Sequence, residues 1–204
     1  MKNPPFLYYN PKKALAGEKL NAIVRKKGKF MNKAYENMRA FWLDAKNFDN
    51  RKGIIEIGPE KIVAAGVEMA LADGETIKHL LIATNSLGDS SLYFENNSKS
   101  GVGGMIGGHG NEPLQEAAAH MLAYGGKLTA QMVKIPATQP MPTSLRAGQV
   151  YLFAVSKQYI FYKELPEQEL RNPDNPFYPM FAYSQQVIGL FKAQETQQPP
   201  SARA

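Results

Sequence analysis

Between Met31 and Ala45, apolar residues recur at spacings of three and four: Met31, Ala34, Tyr35, Met38, Phe41, Trp42 and Ala45. Lys33, Glu36, Asn37, Arg39, Asp44 and Lys46 fill the positions between them. That period belongs to an α-helix with one apolar face, so a helix is predicted over 31–46 with its aromatic stripe turned to a core. Upstream, Asn10-Pro11 places a capping residue before a proline at the first helical position, and Gly28 supplies a left-handed stop. A second amphipathic helix is predicted there, over 11–27, with Leu15, Leu20, Ile23 and Val24 on its apolar side.

Further along, the pattern shortens and loses its helical period. The β-branched run between Gly53 and Gly58 reads as a strand. Pro59 reads as the start of a helix through Leu71, with Ile62, Val63, Val67, Met69 and Ala70 as its apolar residues and its alanines suggesting close burial. Strands are predicted over 79–84 and 92–94, then a glycine-rich loop over 98–110. A helix follows from Asn111-Glu112-Pro113, with Leu114, Ala117, Ala118, Met121 and Leu122 on one side and Gly125-Gly126 at its end. A strand over 130–135 comes next. Two runs rich in Val, Tyr, Phe and Ile, 150–155 and 159–162, then flank Ser156-Lys157-Gln158 as an antiparallel hairpin. A last helix is predicted over 180–192.

The hairpin argues against a purely parallel sheet. The fold class predicted is α+β, a mixed or mainly antiparallel sheet with packed helices, preceded by a basic helical N-terminal segment. One compact domain is expected over 1–193. Within it, 1–50 forms a helical basic subdomain and 51–193 the α/β part, and 194–204 is expected to be a disordered tail.

Composition narrows the chemistry. A chain of 204 residues can bury roughly 70% of its unfolded surface, enough for its own core. It contains no cysteine, which removes disulfides, thiolate metal sites and cysteine nucleophiles together. No apolar run approaches the roughly 18–20 residues that cross a bilayer, so no transmembrane segment is expected. The start, Met1-Lys2-Asn3-Pro4-Pro5-Phe6, lacks the apolar stretch of an export signal, and a cytoplasmic location is the expectation.

Charge changes the picture most. Residues 1–40 hold ten Lys or Arg against two Glu, a net of +8, whereas 41–204 hold fourteen against sixteen acids, a net of −2. Segregation on this scale points to an acidic partner, whether nucleic acid, an anionic membrane surface or an acidic protein. Lys12, Lys13, Arg25, Lys26, Lys27 and Lys29 are the candidate contacts. Tyr8, Tyr9, Phe30 and Tyr35 lie among the basic residues, as single-strand stacking requires. Arg25, Lys26 and Lys27 also complement the dipole at the end of the predicted 11–27 helix, a purely structural role.

The run from Gly101 to Gly110 contains six glycines and precedes a helix, an arrangement in which backbone N–H groups can approach an anion. Ser98, Lys99, Gly103, Gly104, Gly107, Gly108 and His109 are therefore candidate ligands for a small phosphate compound. The run lacks both the Gly-Lys-Ser/Thr ending of a P-loop and the Gly-x-Gly-x-x-Gly spacing. Glu116 and His120 sit four apart near His109, but spacing alone does not make a metal site, and no metal or cofactor is expected. No Ser-x-x-Lys or Gly-x-Ser-x-Gly motif occurs. The reading is a non-catalytic binding protein whose basic N-terminal helices engage an acidic macromolecule. The alternative is a nucleotide- or phosphate-binding protein, or an enzyme on such a ligand, built on 98–111.

Overall fold

A computed structural model describes residues 31–49, 55–74, 76–96 and 101–197. The predicted 11–27 helix, the six candidate basic contacts and 198–204 lie outside them. The helix predicted from the first apolar stripe is α1 (Lys33–Leu43). The Asn32 side chain caps it by accepting from Ala34 N at 2.8 Å, as a capping asparagine does. A short helix, α2 (Lys46–Asp49), follows at once.

The segment predicted as a helix from Pro59 is instead a turn and a long strand. Gly58 and Lys61 take positive φ, and a bridge joins Ile57 to Ile62. The chain then runs straight into β1 (Ala64–Asp73). Helix-forming composition lost to position: β1 is central in the sheet and buried on both faces from Ala64 to Ala70. Its alternation is therefore erased, leaving a continuous apolar run. Small residues are required there. A Cβ on Gly66 would overlap the Phe153 ring, and Gly125 brings a helix onto Ala65.

Strands β2 (Thr76–Asn85) and β3 (Ser90–Glu95) contain the stretches 79–84 and 92–94 predicted as strands. The glycine-rich stretch, predicted as a loop, forms β4 (Val102–Gly107). Helix α3 (Glu112–Leu128) starts at the predicted cap, with Asn111 accepting from Leu114 N at 3.1 Å. After β5 (Val133–Pro136), the predicted hairpin is β6 (Gln149–Val155) and β7 (Tyr159–Pro166). Its turn is closed by Ser156 Oγ, which accepts from Tyr159 N at 3.0 Å. Helix α4 (Tyr178–Gln197) ends the described chain.

The seven strands among the described residues form one antiparallel sheet in the order β4-β3-β2-β1-β6-β7-β5. The fold is therefore α+β. Residues of one parity, among them Val67, Ile82, Leu92 and Leu152, pack under α3 and α4 against Met121, Phe181 and Phe191. Residues of the other parity, among them Leu81, Tyr93, Tyr151 and Phe153, pack under α1 and α2 together with Met141 and Leu145 of the 137–148 connector. No helix among the described residues is long and apolar enough to cross a membrane.

Candidate functional site

The face under α1 carries a buried polar network, which is where the N-terminal part of the chain is fastened to the sheet. Glu68 lies mid-strand in β1, opposite Leu81 on one side and Tyr151 on the other, and is fully buried. A lone carboxylate there would be strongly destabilising, so it needs a cation and hydrogen bonds. Both come from α1. Arg39 Nε donates to Glu68 Oε2 at 2.8 Å, and the Tyr35 hydroxyl donates to Oε1 at 3.1 Å. Tyr35 and Arg39 stand four apart on one helical face, the spacing that lets both reach the same carboxylate.

The remaining guanidinium donors turn to the connector. Arg39 Nη2 donates to the Pro142 carbonyl at 2.6 Å and Nη1 to the Met141 carbonyl at 3.4 Å. One side chain thus joins α1, β1 and the connector. Burial, and then the neighbouring Glu68 charge, raise the Tyr35 hydroxyl well above its ordinary pKa and keep it a neutral donor. Tyr151 is likewise pushed up to about 12, by burial first and by Glu164 second.

A second carboxylate holds the start of α1. Glu95, at the end of β3, accepts from Asn32 N at 2.6 Å and from His79 N at 2.9 Å. His79 Nδ1 lies 2.7 Å from the same carboxylate, and the His79 ring tilts against Tyr35 with centroids 5.6 Å apart. Burial pushes the Glu95 carboxyl up. The hydrogen bonds from His79 and Asn32 outweigh it, and the group is held below its usual range.

The predicted anion-site residues are distributed differently. Ser98 and Lys99 lie outside the described residues, and His109 is exposed in the turn after β4. Gly103, Gly104 and Gly107 belong to β4. Asn96 N donates to the Gly101 carbonyl at 3.1 Å. Because bonded pairs alternate along an antiparallel ladder, positions 103, 105 and 107 turn their backbone groups to β3. Their N–H groups are spent on the sheet.

Packing explains why these positions are glycine. A Cβ on Gly103 would press on the Phe94 ring at 2.6 Å, and one on Gly104 would meet the Leu92 carbonyl oxygen at 2.8 Å. Gly108, at φ +130, would collide with the Gly88 backbone if it had a side chain. At the α3 N-terminus, Asn111 caps the helix itself and Glu112 adds a negative charge in the first turn. Among the described residues no three His, Asp or Glu side chains converge as metal ligands. The His120 ring stacks on Tyr183, centroids 4.6 Å apart, and Glu116 lies 3.9 Å from it.

The sequence reading passed over the residues of the buried network. It set Arg39 on the polar face of its helix and Glu68 inside a helix. The usable signal was a charged residue, Glu68, inside an otherwise apolar run of seven, which is costly unless partnered. Fold and network together define the class: an α+β protein whose described residues form a seven-stranded antiparallel sheet covered on both faces, with α1 bolted on by one buried carboxylate, Glu68, and one partly buried carboxylate, Glu95. Compared with known proteins, the chain matches no family model and no curated sequence.

Proposed function

We propose that the chain is a non-catalytic binding protein whose basic N-terminal segment engages an acidic macromolecule, with Lys12, Lys13, Arg25, Lys26, Lys27 and Lys29 as the contacts. The observation that carries this reading is the segregation of charge, +8 over residues 1–40 against −2 over the rest. Charge concentrated in one segment raises the local density of an acidic partner and speeds its capture. The anchoring of α1 supports the reading in a second way. Four of the basic residues lie between Arg25 and Lys29, directly before a helix that Asn32, Tyr35 and Arg39 fix to the sheet. A partner gripped by that segment is thereby tethered to a rigid body. The polar groups of the network are consumed in this anchoring: all three nitrogens of Arg39 have acceptors.

The test is fluorescence anisotropy with the full chain and three labelled probes: single-stranded RNA, single-stranded DNA and polyglutamate. Binding to at least one is expected, weakening as salt rises. For a nucleic acid, the slope against salt should fall by about one for each basic contact removed. Reversing Arg25, Lys26 and Lys27 to Glu together should abolish binding while leaving the melting temperature unchanged. Binding that survives the triple reversal, or no binding to any probe, would overturn the proposal. Thermal stabilisation by inorganic phosphate or a mononucleotide, with all three polyanions silent, would move the function to the 98–111 segment.

A further inference from the structure

The two faces of the sheet are covered by different kinds of structure. Helices α3 and α4, 17 and 20 residues long, close one face and bring Leu114, Met121, Phe181 and Phe191 into its core. On the other face α1 has 11 residues, of which Tyr35, Arg39, Trp42 and Leu43 are buried. The 137–148 connector completes that cover and is neither helix nor strand. Its ends are tied down by backbone bonds, Ala137 N donating to the Gln158 carbonyl at 2.8 Å and Gly148 N to the Ala70 carbonyl at 2.9 Å. Between these ties its buried residues are Met141 and Leu145.

Both of these share one apolar cluster with Tyr35, Trp42 and Leu43, and the Arg39 guanidinium donates to the carbonyls of Met141 and Pro142. Removing α1 alone would strand those two carbonyls and the Glu68 carboxylate. Removing the connector alone would take the acceptors from two of the three guanidinium nitrogens, beside a buried charge. Each half-open state keeps the cost of unpaired polar groups that are still largely covered. Opening both segments hydrates all of these groups at once. Strand β1 is not drawn along, because its ladders run to β2 and β6.

We infer that α1 and the connector leave and return as one cooperative unit, coupled through Arg39, while the sheet and the α3–α4 side stay folded. Proteins open in such units at free energies below that of global unfolding. The unit lifts its cover from Tyr151 and Phe153, sheet residues of the same cluster, without disturbing the opposite face.

The cysteine-free chain permits a direct test with three single-cysteine variants of the full chain. These are Leu43→Cys in α1, Leu145→Cys in the connector and Leu122→Cys in α3, at positions buried in the wild type. The labelling rate of each thiol is measured against urea, below the unfolding transition. Its slope reports the surface exposed by the opening that frees the thiol. Leu43→Cys and Leu145→Cys should share one slope, smaller than that of Leu122→Cys. Adding Met141→Ala on the connector side should speed labelling at 43 and 145 by the same factor, roughly thirtyfold or more for loss of a buried methionine side chain. Arg39→Lys keeps a cation for Glu68 but lacks the guanidinium fork, so the slopes at 43 and 145 should then part. One slope for all three thiols, different slopes at 43 and 145 without further change, a Met141→Ala effect confined to 145, or slopes that stay equal in Arg39→Lys would each refute the inference.

Discussion

Arg39 shows how much one residue can hold. It neutralises a carboxylate in the middle of a central strand and binds two carbonyls of a connector more than 100 positions away. Truncating it would leave Glu68 charged, buried and short of a partner. Arg39→Ala should therefore cost about 3–5 kcal/mol, the range for breaking a buried pair from one side. Urea unfolding followed by Trp42 fluorescence would measure it. The double change Arg39→Met, Glu68→Met should recover most of that loss, since it removes the stranded charge with it. Recovery should stop short of complete, because the Tyr35 hydroxyl and the two carbonyls lose their partners. Glu95 sets a pH dependence at the same scale. Its folded carboxyl titrates below the ordinary value of 4.5, so its contribution is full above that value and fades as the pH falls through the folded pKa. Denaturation midpoints taken from pH 7 to about pH 3 should decline more gently in Glu95→Gln than in the wild type.

At the scale of elements, the informative cases are β1 and β4. The composition of β1 favours a helix, with Gly66 and Val67 as the exceptions. What makes it a strand is that both neighbours, β2 and β6, supply ladders along its length. Two covered faces also reward a buried apolar run of either shape. Its glycine records that environment. Gly66→Ala would drive a methyl into the Phe153 ring and to 2.7 Å from the Ile82 carbonyl oxygen. A loss of about 1–3 kcal/mol is expected, the scale of overpacking, and thermal unfolding would detect it. In β4, glycine count suggested a flexible or ligand-binding loop. Contact with Phe94, Leu92 and Tyr93 supplies a different reason for the same residues. Among the elements read correctly, several had local signals: the three-and-four stripe of α1, the Asn111 cap of α3, and the Ser156 turn of the β6–β7 hairpin.

At the scale of the molecule, a two-faced sheet needs cover on both sides, and different segments of the chain provide it. Helices α3 and α4 close one face, and α1 with the connector closes the other. The second cover is fastened by apolar packing and by polar links from Asn32, Tyr35 and Arg39 to Glu95 and Glu68, so a partner held by the basic segment would be tethered to the sheet. This is the physical content of the proposed binding role. It gives the triple charge reversal its meaning, since loss of partner binding with unchanged unfolding would separate the basic segment from the fold that carries it.

The sequence by itself determined the fold class, the absence of cysteine chemistry, the segregation of charge and those elements whose caps, turns and periods are local. Such signals act between residues a few positions apart and need no partner to be read. Tertiary structure decided that 64–73 is a strand, that the glycine-rich run is a strand as well, and that Arg39 and Glu68 form the central bolt. Each of these depends on which residues meet across dozens of positions. Arg39 looks like a surface cation along its own helix, and Glu68 like one more helix former, until the sheet brings them within 2.8 Å.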